Sequence, residues 1–198
     1  MRRLFTILCL GTVLIVAGVW TWNPVQSAEQ KPRPFSFMPV GGIGGAFTLI
    51  DHNGKTVTDA NYRGRYMLVF FGYTFCPDVC PTALQTITEA MDLLGAKADR
   101  VQPVFISVDP ERDTPKVLKS FMENFHPRMV GLTGSPEQVA AAAKVYRLYY
   151  AKANDDDEYL MDHSANIYLM GPDGKFVTYF RHGGFTPDTL AAKVREYL

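Results

Sequence analysis

Cysteine is scarce in this chain. There are three in 198 residues. Cys9 lies in a hydrophobic stretch near the N-terminus, so the part that reads as globular holds only Cys76 and Cys80. That excludes a framework of several disulfides and leaves one isolated pair, each member followed by proline. A surplus of either charge is also absent. The 20 basic and 20 acidic residues balance, nothing attracts a polyanion, and no nucleic-acid partner is expected. Internal repeats are absent, and the only biased tract is rich in proline and glycine.

What is present suffices for a core. Apolar residues make up 47% of the chain and aromatics 13%, and the length allows one ordinary domain plus a tail. The single charge run, Asp155-Asp156-Asp157-Glu158, reads first as a solvated loop and second as a docking surface for a basic partner.

Residues 1–22 read as a membrane segment. Arg2-Arg3 precede Leu4 to Trp20, an uncharged and mostly aliphatic stretch. As a helix through Trp22 it spans about 28 Å, enough for a bilayer core. The arginines favour an inside N-terminus and an outside globular part. A signal peptide cleaved near Ser27 or Ala28 is one reading and an uncleaved anchor the other; the length of the run favours the anchor. Cys9 has no small residue before it, which argues against a lipoprotein site. No Arg/Ser-rich transit peptide precedes the run, so a single-pass protein of a bacterial inner membrane, facing the periplasm, is expected. In that oxidising compartment a plain disulfide is the default for two nearby cysteines.

Residues 23–45 read as a linker, with Pro24, Pro32, Pro34, Pro39 and Gly41-Gly42-Ile43-Gly44-Gly45. The domain occupies 46–198. Its pattern predicts a hairpin (47–50 and 56–58), a buried strand (66–72), a helix after Pro81, and a second buried strand (101–108). A helix from Pro115 to about Asn124, a strand (130–133) and a helix capped by Ser135-Pro136-Glu137-Gln138 follow. A hairpin (165–170 and 175–180) and a helix opened by Thr186-Pro187 complete it. The class is α/β, with a mixed central sheet flanked by helices and added hairpins.

The cysteine pair follows the first buried strand and precedes a helix, where α/β folds place their sites. Pro81 fits the first helical position, which puts Cys80 beside the helix N-terminus, where the dipole lowers a thiol pKa. A two-residue spacer is usual for disulfide exchange. The three-residue spacer here, Pro77-Asp78-Val79, still permits a disulfide but also lets the sulfurs spread around a soft metal. Two thiolates are an incomplete site, and imidazole is the commonest third donor. Of the four histidines, His52 reads as an exposed turn residue and His126 as a helix cap. Spacing leaves His182 open. His163 is the strongest candidate, leading into the strand 165–170 with Asp162 beside it to orient its ring. Met161 is a soft donor nearby, with packing as the plainer reading.

Val69-Phe70-Phe71-Gly72-Tyr73-Thr74-Phe75-Cys76-Pro77-Asp78-Val79-Cys80-Pro81 resembles the Sco/SenC family of copper chaperones for cytochrome c oxidase. Ser107-Val108-Asp109-Pro110-Glu111-Arg112-Asp113-Thr114-Pro115 and Asp162-His163-Ser164 do so too. The resemblance covers about residues 41 to 198, in order. It implies a thioredoxin-like fold behind a single membrane anchor. It implies copper, as Cu(I), Cu(II) or both, held by Cys76, Cys80 and His163. The implied function is maturation of the binuclear copper centre of the oxidase. The implied partners are the copper-receiving subunit of a haem-copper oxidase, a periplasmic copper donor and a thioredoxin-like reductant. The segment Asp109 to Thr114 is read as strand end, loop and helix cap, with no catalytic role.

Two other chemistries suit the pair. A thiol–disulfide oxidoreductase would need Cys76 and Cys80 as a redox pair but not His163. A thiol peroxidase is disfavoured, because Tyr73-Thr74-Phe75 before Cys76 does not make the Pro-x-x-x-Thr-x-x-Cys pattern of peroxiredoxins.

Overall fold

A computed structural model describes residues 42–154, 158–181 and 183–198. The segment expected to span a membrane, residues 23–41 of the expected linker, Asp155 to Asp157 and His182 lie outside the described residues. Among the described residues no helix is long and apolar enough to cross a membrane.

The centre of the domain is built from strands buried on both faces. The run Tyr66–Gly72 forms β3, in which every residue after Tyr66 is buried, and Val101–Ser107 forms the fully buried β4. Continuous apolar runs of this kind suit a strand covered on both sides. The two are parallel and in register from Tyr66 opposite Val101 to Gly72 opposite Ser107. Around them a seven-stranded mixed sheet runs in the order β2-β1-β5-β4-β3-β8-β9. Here β1 is Thr48–Asp51, β2 Thr56–Thr58, β5 Val130–Thr133, β8 Asn166–Met170 and β9 Phe176–Arg181. Phe70, Phe71 and Phe105 are fully buried, each contributing about 1.5–3 kcal/mol by burial.

Four helices flank the sheet: α1 (Val79–Leu94), α2 (Pro115–Met122), α3 (Pro136–Val145) and α4 (Pro187–Arg195). Three start on a hydroxyl residue followed by proline. Thr114 accepts from the Val117 amide, Ser135 from Gln138 and Thr186 from Thr189. Proline costs nothing at the first helical position, where its missing N–H has no intrahelical partner. The first helix departs from the expected pattern. It begins at Val79, so Cys80 is its second residue and Pro81 its third. All of the first four amides of a helix lack intrahelical partners, so Pro81 is as harmless third as first. Its apolar face, Leu84, Ile87, Met91 and Leu94, is buried as the spacing predicts, and Gly95 (φ 56°) ends it.

One element was not foreseen. Residues 150–152 (β6) and 161–163 (β7) form a separate antiparallel pair with Tyr150 opposite His163. His163 therefore ends a short hairpin of its own and does not lead directly into β8. At the other end of the described chain, Gly44 donates to the Val145 carbonyl at 2.8 Å and so lies along the end of α3.

Candidate metal centre

The topology brings three segments to one end of the sheet. Parallel register places the carboxyl ends of β3 and β4 side by side. The antiparallel pairing of Phe70 with Ile167 places the start of β8, and the hairpin before it, at the same end. The loop after β3 carries Cys76 and leads into Cys80. The loop after β4 carries Asp109 to Asp113. The hairpin carries His163.

Both thiols are free, Cys76 half-buried and Cys80 buried. The Cys76 amide donates to the Tyr73 carbonyl at 3.3 Å, closing a turn. The Cys80 amide, one of the unpaired N–H groups of α1, donates to the Cys76 sulfur at 3.4 Å. This corrects the sequence-based expectation about the helix N-terminus. The positive end of α1 is aimed at Cys76, outside the helix, and not at Cys80 within it. A hydrogen bond from Cys80 holds the Cys76 thiol far below the usual range, with His163 and the Asp78 and Cys80 amides assisting against burial. Cys80 is pushed the opposite way, because its S–H is committed to Cys76 and because it is buried. The Cys80 amide contact and the deeper burial of Cys80 thus both favour the outer sulfur as the thiolate.

The His163 imidazole stands 3.5 Å from the Cys80 sulfur through Nε2. Its Nδ1 lies 3.3 Å from the Ser164 carbonyl. A carbonyl only accepts, so Nδ1 donates in this contact and Nε2 is the ring atom that faces the Cys80 sulfur. Phe70 and Tyr73 meet the ring edge-on, at centroid distances of 6.3 and 6.0 Å, which fixes its plane. Alternation along β7 turns Asp162 out to solvent. The orienting partner is therefore the Ser164 carbonyl and not the Asp162 carboxylate.

The donor set and its spacing fit a soft metal ion. An ion about 2.3 Å from sulfur and about 2.0 Å from imidazole nitrogen holds the two donors roughly 3.5–3.7 Å apart, and the observed separation is 3.5 Å. Among the described residues no three His, Cys, Asp or Glu side chains form a closed cage. Gly72 makes room for this arrangement: a Cβ there would stand 2.8 Å from the Cys80 sulfur and 2.9 Å from the Phe105 ring.

The other candidates fall elsewhere. The His52 ring accepts from the Gly131 amide at 3.0 Å and ties the end of β1 to β5, so it is more than an exposed turn residue. His126 accepts from the Arg128 amide at 3.2 Å, and burial lowers its pKa. Met161 is buried in the core, as packing predicts.

What the sequence did not disclose is the work of Asp113. Its buried carboxylate accepts from the Thr74 amide at 3.0 Å, the Thr74 hydroxyl at 2.5 Å and the Ser107 hydroxyl at 2.6 Å. Burial raises its pKa against those bonds. Asp113 thus clamps the loop two residues before Cys76. The one available signal was an acidic segment at the end of a buried strand parallel to the cysteine strand.

The SCO1/SenC family model matches residues 39–198. The chain is 44% identical to the mitochondrial SCO2 homolog of Bos taurus over 198 residues, covering 96% of this chain and 74% of that protein. The structure of Bradyrhizobium japonicum ScoI with copper bound is similar at 49% identity and a TM-score of 0.74, covering 79% of this chain and 99% of that one. BsSco, a member of the Sco family of cytochrome c oxidase assembly proteins with an identified disulfide switch, is similar at 28% identity and a TM-score of 0.63. That match covers 78% of this chain and 92% of BsSco. The mixed sheet flanked by helices is the fold of these Sco structures.

Proposed function

This chain belongs to the SCO1/SenC family, and from that premise we propose that it is a copper metallochaperone for maturation of the binuclear copper centre of cytochrome c oxidase. Copper is its cargo, held by Cys76, Cys80 and His163 and passed to the copper-receiving subunit of the oxidase. The observation that carries this reading is the His163 Nε2 atom 3.5 Å from the Cys80 sulfur, with the Cys76 sulfur 3.4 Å from the Cys80 amide. Two thiolates and an imidazole suit Cu(I), and the nitrogen also suits Cu(II). The copper-bound relative supports the choice of metal. The domain works outside a bacterial inner membrane, tethered through residues 1–22, with a periplasmic copper donor and a thioredoxin-like reductant as its other partners. Resistance of the full chain to extraction from membranes by alkali tests the tether.

The main test is a copper titration of the reduced protein. The expected outcome is about one copper per domain, with binding abolished in Cys76→Ser and Cys80→Ser and weakened in His163→Ala. A His163→Ala protein with the parent's affinity would remove His163 from the ligand set.

A second reading is favoured by the asymmetry of the pair. An accessible, acidic Cys76 beside a buried, protonated Cys80 is the arrangement of an attacking and a resolving thiol. The Cys76 thiolate would attack a disulfide of the oxidase copper site, forming a mixed disulfide and releasing one target thiolate. Cys80 would then displace the second, leaving a Cys76–Cys80 disulfide and two reduced target thiols. This activity needs no imidazole as a ligand, since His163 only assists the Cys80 hydrogen bond in keeping Cys76 acidic. Full reduction of an oxidised target by His163→Ala supports this reading, and its loss in that variant counts against it.

A further inference from the structure

We propose that Arg112, which supplies no ligand, is a positioning residue that staples the hairpin bearing His163 to the loop bearing Cys76. The proposal rests on the ligand set given above, because its purpose is to hold the imidazole against the thiols.

The need follows from the fold. A pair of three-residue strands outside the main sheet is not stable on its own, so something must hold it in place. Besides Met161, which is buried in the core, and the His163 ring, the hairpin's polar side chains converge on the loop after β4. Tyr159, four residues before His163, donates its hydroxyl to Asp109 at 2.7 Å. Lys152 of β6 pairs with Glu111 at 2.8 Å. Arg112 sits where these contacts meet the cysteine loop. Its Nε donates to the Asp109 carboxylate. Its guanidinium carbon lies 3.7 Å from the Tyr159 ring centroid and 4.8 Å from that of Phe75, the residue before Cys76. The Tyr73 ring, which also meets His163, is 5.9 Å away. All three distances are within the range of cation–π attraction. One cation thus touches rings from both ligand-bearing segments.

A further observation supports the staple. The Arg112 Nη2 atom is buried and has no hydrogen-bond partner among the described residues. A buried donor left unpaired is costly, and the rings within reach of the guanidinium offset that cost. A flat guanidinium can stack on rings while bonding a carboxylate in its plane, whereas a lysine ammonium cannot.

The test uses Arg112→Gln and Arg112→Lys, with Tyr159→Leu removing the ring from the hairpin side. Amide hydrogen exchange is measured on the reduced, copper-free protein. The staple predicts exchange at least about tenfold faster in 150–164 in all three variants, with β3 and β4 unchanged. Copper affinity should fall roughly 10–100-fold, and the Cu(II) spectrum should lose the nitrogen hyperfine pattern of a coordinated imidazole. Unchanged hairpin exchange, or parent-like behaviour of Arg112→Lys, would overturn the proposal. So would exchange accelerated equally throughout the sheet, which would make Arg112 a general contributor to stability. Failure of the ligand reading shows separately, as His163→Ala binding copper like the parent. Exchange in the copper-free variants still decides the staple in that case.

Discussion

The cysteine loop and the histidine hairpin meet at one site but stand on different foundations. The loop grows out of β3, a strand buried on both faces, and runs into the sixteen-residue helix α1. It is tied down by two hydrogen bonds from Thr74 to the buried Asp113 carboxylate, which Ser107 at the end of β4 holds in turn. The hairpin is two strands of three residues outside the main sheet, held through side chains. The two cysteines therefore stand on the cooperative core, while His163 sits on a small piece anchored by Met161 and a few side-chain contacts. In such a molecule the affinity for a metal can change without the stability of the domain changing with it.

The largest effect that separates the two regions is expected from Phe70→Ala. Phe70 is fully buried and its ring also borders His163. Denaturant unfolding should show a loss of about 3–5 kcal/mol. A loss no greater than that of a hairpin substitution would erase the distinction. Gly72→Ala comes next. Its methyl would meet the Cys80 sulfur and the Phe105 ring, both closer than 3.0 Å, at a cost of about 1–3 kcal/mol. It should also slow alkylation of Cys76 by moving the Cys80 thiol away from it. On the hairpin, Tyr159→Phe keeps the ring and removes the hydroxyl from Asp109. A loss of about 1–2 kcal/mol should appear as faster exchange of the Ser164 amide, which is bonded to the Tyr149 carbonyl, and not in the main sheet.

The same contrast separates what could be read in the sequence from what could not. The buried strands were legible because Met67 to Phe71 and Val104 to Ile106 are apolar without interruption and rich in β-branched and aromatic residues, a pattern that suits a strand covered on both faces. Three helix starts were legible because Ser or Thr followed by proline has a local cause, a side-chain oxygen capping an amide two or three residues on. The hairpin was not. Met161-Asp162-His163 alternates over too few residues to declare a strand, and its partner begins eleven residues earlier at Tyr150. Nor was the tie between Thr74 and Asp113, residues 39 apart in sequence, since only the parallel register of β3 and β4 makes them neighbours. Cys76, Cys80 and His163 were named from residue type, spacing and resemblance. Which sulfur carries the proton depends on where α1 begins, and Pro81 placed that start two residues late.

The smallest perturbation, a single proton, sharpens the comparison further. Cys76 has a folded pKa below its unfolded value, which is about 8.5, and Cys80 has one above. For Cys76 the stabilisation is complete above the unfolded pKa and is lost as pH falls towards the folded one. For Cys80 it is complete below the unfolded pKa and is lost as pH rises towards the folded one. The two slopes have opposite signs, so the thiol contribution to the stability of the reduced, metal-free protein should peak near the unfolded value. In Cys76→Ser only the alkaline loss should remain, because burial alone still raises Cys80. Reactivity gives a direct measure. Iodoacetamide should modify Cys76 at a nearly constant rate from about pH 6 to about pH 8, where an ordinary thiol slows steeply on acidification, and should spare Cys80 throughout. Equal rates at the two thiols, or modification of Cys80 first, would mean that the positive end of α1 does not select the outer sulfur. The cysteine loop would then be no better ordered for its chemistry than the hairpin beside it.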